Sequence, residues 1–169
     1  DAYRLELERL TKLISPSAAP TPTPVETSTP SASASATEQP LPTPVPTQLP
    51  SEKYADLYAL NNDLAGWISI EGTTFDYPVM YKPDSKEYYL RRGFDKTYNY
   101  YGTPYIWEHC TLDSDNIIIH GHNIRGDDMF GLLERYKKED YYKEHPIIRF
   151  DTMTEYGLYD IVSVFVTTI

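Results

Sequence analysis

The sequence predicts a mostly β domain of barrel type, on three observations. From Trp67 onward, short apolar runs are broken by clusters of Gly, Pro, Asn, Asp and Ser, the pattern of short strands joined by turns. Helical periodicity appears only in brief pieces between those runs. Core-forming composition is concentrated in residues 51–169, because residues 15–50 hold no aromatic side chain.

Taken in order, residues 1–14 place Tyr3, Leu7, Leu10 and Ile14 at helical spacing with charges between them. That predicts a short amphipathic helix, too short to hold alone in water. Residues 15–50 are rich in Pro, Thr, Ser and Ala, with Glu26 and Glu38 their only charges. With almost nothing to bury, such a segment stays extended or disordered, and it reads either as a plain spacer or as a stalk. In residues 51–169, a helical pattern sets Tyr54, Leu57, Tyr58 and Leu64 on one side, and Asn61-Asn62-Asp63 and Gly66 end it. GWISI, TTFDYPVMY, TPYIWEH and NIIIHGH then read as strands, with Pro78 marking an edge or a bulge. Asp127 or Asp128 is placed to cap a helix bearing Met129, Phe130, Leu132 and Leu133. EDYYKEHP reads as a second short helix, and IIRFD and EYGLYDIVSVFVTT as two further strands.

Charge and cysteine content narrow the function. The chain carries 15 Lys+Arg against 25 Asp+Glu, a formal net charge of −10. That surface argues against nucleic acid, whose affinity comes largely from cations on phosphates. Cys110 is the single cysteine, so no internal disulfide forms, which does not exclude an extracellular home. No apolar run reaches the roughly 20 residues that span a bilayer. The chain begins with Asp and stops at Ile169 inside a strand pattern, so the expectation is a piece truncated at both ends.

The histidines concentrate the chemistry. His120 and His122 follow an aliphatic run, one glycine apart. On an extended strand they would share a face. A metal reading needs a third ligand from Asp127, Asp128, His109 or His145, because zinc takes at least three. A structural reading suits His145, before Pro146 at a helix end. A catalytic reading makes a strand-end histidine a general acid or base near neutral pH. His109 and Cys110 are strand neighbours pointing to opposite faces, so they do not form a dyad, and Cys110 reads as a packing residue.

Here the motifs reach a family. The run DSDNIIIHGHNIRGDDMFGLLERYKKEDYYKEHPIIRFDT resembles the central segment of class B sortases. It has an aliphatic strand ending in Gly-His-Asn, a polar loop, a Met-Phe helix start and a His-Pro lead into the next strand. Upstream, NNDLAGWISIEGTTFDYPVMYKPDSKEYYLRRGF resembles the family's opening. The resemblance covers about residues 54–168. It implies a sortase-like β-barrel with class B helical additions, here incomplete at the C-terminus. It divides the chain into a membrane-proximal helix (1–14), a disordered linker (15–50) and a partial catalytic domain (51–169).

The resemblance further implies a membrane-anchored cysteine transpeptidase on the outer face of Gram-positive bacteria, using no cofactor. Its substrates are secreted proteins bearing a C-terminal sorting signal, and its acyl acceptor is an amine on a cell-wall precursor or a pilin. By motif match, His122 is the catalytic histidine, acid for the leaving amine and base for the incoming one. Leu90 and His120 match positions lining the substrate groove, His120 standing where the family usually has Tyr. The family's catalytic cysteine and arginine come well after the histidine, whereas Cys110 precedes it and no Arg follows Arg149. The chain by itself is therefore expected to be inactive. Two other readings stand beside this one: a non-catalytic sortase-like binding module, and a zinc hydrolase built on His120 and His122.

Overall fold

A computed structural model of the chain describes residues 2–14 and 49–167. The expected linker, residues 15–50, falls almost wholly outside these. Its last two residues are the exception: Leu49 is exposed, and Pro50 is buried and opens a helix. The elements in chain order are helices α1 (Ala2–Leu13), α2 (Pro50–Lys53) and α3 (Ala55–Leu60), then strands β1 (Leu64–Ser69), β2 (Asp76–Met80), β3 (Tyr105–Ile106) and β4 (Ile119–His120). Helix α4 (Glu139–Glu144) and strands β5 (Ile147–Thr152) and β6 (Leu158–Asp160) follow. Two 3-10 helices, Tyr88–Arg91 and Phe130–Lys137, lie in the connections.

The strands form one six-stranded sheet in the order β4-β3-β2-β1-β5-β6. It is a curled half-barrel, mostly antiparallel, with the single parallel pair β2–β3. β1 lies between β2 and β5, and five of its six residues are buried. That follows from what covers the two faces. On one, Ile68, Tyr77, Val79, Ile106 and Phe150 pack with Met129 and Leu132. On the other, Trp67 and Met80 pack under Tyr54, Leu57 and Tyr89. A strand buried on both faces reads as a nearly continuous apolar run.

Several sequence expectations need correction. The helical run from Ser51 is split at Tyr54, and Leu64 belongs to β1. Tyr58 is exposed, while Tyr54 and Leu57 are buried as expected. NIIIHGH supplies only a two-residue strand that ends at His120. Neither Asp127 nor Asp128 caps the following helix. Met129 occupies that position at φ 51°, and the two aspartates pair with Arg135 and Arg4. The long C-terminal strand shortens to Leu158–Asp160. Beyond it, among the described residues, no strand supplies the ladder partners an extended segment needs, and Val162 and Phe165 are exposed. Pro78 sits where β2 has only β1 beside it, because β3 pairs with β2 at Met80 alone. The edge expectation holds there, with a register shift on the facing strand between Leu64 and Gly66.

α1 is not held at a distance from the domain. Tyr3 and Leu7 join the first core cluster, and Leu10, Leu13 and Ile14 the second. The helical spacing seen in the sequence is thus the stripe that buries α1 against the sheet and its cover.

At Gly66, β1 leaves no room for a side chain against the β5 backbone. A Cβ there would lie 2.0 Å from the Asp151 carbonyl oxygen. Gly66→Ala is expected to cost at least about 2 kcal/mol by forcing the two backbones apart, read as a lower urea midpoint at unchanged slope.

Candidate active site around His122

His122 stands two residues past the end of β4, outside any ladder. Two contacts hold it. Its carbonyl accepts the Phe130 N–H at 3.0 Å, which closes the 123–129 loop back on the histidine. Its Nε2 lies 2.8 Å from the Leu90 carbonyl oxygen. A carbonyl can only accept, so Nε2 carries the proton and donates. Nδ1 is then the ring atom left to hold or release a proton, and the half-buried ring keeps a route to solvent.

The Leu90 carbonyl is itself confined. It belongs to the Tyr88–Arg91 turn, which the Thr103 N–H anchors at the Tyr89 carbonyl, 3.0 Å away. Gly102, at φ +65°, passes so close that a Cβ would lie 2.4 Å from the Leu90 oxygen. Beneath the turn, the buried Tyr89 hydroxyl donates to Asp63 at 2.7 Å and accepts from Asn61 at 2.9 Å. Asn61 also donates to the Phe94 carbonyl at 2.7 Å, and Lys96 and Lys82 reach Asp63 at 3.1 and 3.5 Å. Burial alone would raise the Asp63 carboxyl, but the hydrogen bonds from Tyr89 and Lys96 and the two lysine charges outweigh it and hold the group below its ordinary value. Burial pushes the Tyr89 phenol up, with the Asp63 charge adding to it, so Tyr89 stays a neutral donor.

The structure brings His122 and Leu90 together, through the backbone of Leu90 rather than its side chain. His120 is held elsewhere. Its ring stacks on Tyr105, with centroids 5.5 Å apart, and meets the edge of Trp107 at 6.5 Å. The Tyr105 phenol is pushed up to about 12, by burial first and then by Glu87 and Glu108. His109 packs edge-on against Trp107 rather than against Cys110, and Cys110 is 6% exposed inside the first core cluster. His145 turns Nδ1 to the Glu71 carbonyl at 3.0 Å, a structural placement. Among the described residues, no three His, Cys, Asp or Glu gather to hold a metal, so the His-x-His reading finds no third ligand there.

Sequence reasoning missed the anchor of His122. A backbone carbonyl leaves no mark in residue type. The NND run does stop α3, with Asn61 as its C-cap, and it also supplies Asn61 and Asp63 to the support of that carbonyl.

The curled sheet matches solved sortase structures. A Staphylococcus aureus sortase B–substrate complex aligns with a TM-score of 0.62 at 28% identity, over 68% of this chain and 53% of that one. No family model matches the chain. In sequence, sortase B of Staphylococcus aureus is 32% identical over 111 residues, 64% of this chain and 44% of that protein. Sortase B of Listeria monocytogenes is 31% identical over 120 residues, 69% of this chain and 48% of that protein. By fold this is a sortase-type domain, and the chain belongs to the class B sortases. It spans about half the length of the curated relatives it matches.

Because the Asp63 carboxyl is held low, its stabilising contribution is complete above the ordinary aspartate range and is lost as pH falls through the depressed folded value. Urea stability of the chain should therefore fall more steeply below about pH 4 than that of Asp63→Asn. Parallel acid limbs would show that the cluster carries no such linkage.

Proposed function

We propose that these residues form part of the catalytic domain of a sortase-type cysteine transpeptidase, with His122 as its acid and base. The observation that carries the reading is the Nε2–Leu90 hydrogen bond, on a fold shared with class B sortases. A cysteine thiolate attacks the scissile carbonyl carbon of a sorting signal, and the carbon–nitrogen bond breaks as Nδ1 of His122 gives its proton to the leaving amine. An incoming amine then attacks the thioester, loses a proton to Nδ1 and releases the thiolate as the carbon–sulfur bond breaks. His122 suits both steps because its other nitrogen is committed to a fixed carbonyl, which holds the ring plane and the tautomer. Leu90 and His120 are assigned to the walls of the groove beside it.

The substrates in this reading are secreted proteins with a C-terminal sorting signal, and the acceptor is an amine on a cell-wall precursor or a pilin. The site of action is the outer face of the membrane in a Gram-positive envelope. Among the described residues, no helix is long and apolar enough to cross a membrane. The substrate class rests on the likeness to class B sortases, of which the Staphylococcus aureus structure is a substrate complex.

The nucleophile is not among the side chains around His122. Cys110 is buried in the core and Arg149 is committed to Asp151. Two outcomes follow. The 169-residue chain should release no labelled amine from a sorting-signal peptide, and Cys110 should react with a thiol reagent only after unfolding. The deciding test is the gene read past the Ile169 codon. An open frame reaching a cysteine and then an arginine supports the enzyme, and His122→Gln in that longer protein should then lower turnover by about 100-fold or more. An immediate stop would leave a sortase-like binding module.

A further inference from the structure

His122 is gripped by two arms. One is the 90–102 segment, which carries the Leu90 carbonyl and the Gly102 turn behind it. The other is the 123–130 loop, which closes on the His122 carbonyl through Phe130. α1 touches both.

Tyr3 is 7% exposed and lies where the arms meet. Its ring stacks on Tyr101 of the first arm, with centroids 4.7 Å apart and planes 11° from parallel. Its hydroxyl donates to Met129 Sδ of the second arm at 2.7 Å. Met129 is buried at a positive φ of 51°, and its N–H donates to the Tyr77 hydroxyl at 2.9 Å. A non-glycine residue in that conformation persists only where its surroundings impose it, and Tyr3 and Tyr77 are two of the groups that do so. The next residue of α1, Arg4, pairs with Asp128 on the same arm. Three residues past Tyr3, the Glu6 carboxylate lies against Gly93 of the first arm, where an added Cβ would sit 3.3 Å from its Oε2.

We infer that α1 is a clamp on the candidate active site, with Tyr3 and Arg4 as positioning residues that hold the two arms so that His122 Nε2 meets the Leu90 carbonyl. Their contacts with Tyr101, Met129 and Asp128 are contacts with the arms, and they act through these. The functional weight of the clamp rests on the reading of His122 as catalytic, whereas the clamp itself is a claim about geometry.

The test follows the His122 Nε2–H by NMR in the isotopically labelled 169-residue chain, where it is protected by its hydrogen bond. Tyr3→Leu is expected to speed its exchange with solvent by about five-fold or more, through opening of the arms, and Arg4→Met, which removes an exposed ion pair, by about two-fold. Tyr3→Phe keeps the ring stack and should stay closer to wild type. Lys53→Met takes a partner from the buried Asp151 on β5, outside both arms, and should lower Tm without changing the His122 signal. The inference is overturned if Tyr3→Leu and Arg4→Met leave the exchange as in wild type, or if Lys53→Met speeds it equally. Should Tyr3→Leu fail to fold, the surface variant Arg4→Met decides alone. The readout needs no turnover, so a failed transpeptidase reading leaves this result standing and a failed clamp leaves that reading untouched.

Discussion

The hydrogen bond between His122 Nε2 and the Leu90 carbonyl joins two segments that the chain brings together from 32 residues apart. A histidine beyond a strand end has no ladder to orient it, so its precision is borrowed from whatever it touches. Here it touches backbone, and backbone is only as fixed as its own support. That support is polar and buried at its centre: the Tyr89 hydroxyl between buried Asn61 and the partly buried Asp63, with two partly exposed lysines closing the charge. In a low-dielectric setting such a network is strong when every member is partnered and costly when one is not. The chemistry at Nδ1 therefore rests on a tyrosine and an asparagine that sequence motifs do not mark.

A second buried network fixes the cover over the sheet. The Asp151 side chain, 1% exposed, is met by the Tyr54 hydroxyl at 2.7 Å, Lys53 Nζ at 3.1 Å and Arg149 Nε at 2.8 Å. These partners tie α2 and the start of α3 to β5, across the face that carries Trp67. Truncating one partner of a buried charge costs about 3–5 kcal/mol, chiefly because the remaining charge is stranded. The network thus contributes less to net stability than to uniqueness, since any other seating of α2 would leave Asp151 unpaired.

What could be read from the sequence follows from range. β1 and β2 were legible because five or six residues of mostly apolar pattern suffice to mark a strand buried on both faces, and the half-buried β5 because Ile147, Ile148 and Phe150 still form an apolar run. The stripe Tyr3, Leu7, Leu10, Ile14 was legible for the same reason, although its destination was not. β4 misled because the three isoleucines look like a core strand, whereas β3 offers only two residues to pair with them. The aspartates at 127 and 128 looked like caps because that is the local preference, yet cations from other elements outbid the backbone for them. His122 could be found from its neighbours in sequence. Its anchor could not, because the acceptor is a main-chain oxygen whose position is set by Gly102 and by Tyr89.

α1 packs into the same folded unit as the sheet: its residues enter both core clusters, and Ile14 and Lys53 line one cavity of about 410 Å³. The exposed Arg4–Asp128 pair contributes little by itself, and a 12-residue helix is marginal alone. Burial of Tyr3 and Leu10 must supply most of the docking energy, at about 1.5–3 kcal/mol for each fully buried large apolar side chain. The residues that hold the helix in place are thus partly the residues that brace the loop behind His122, which couples the seating of α1 to the geometry of the site.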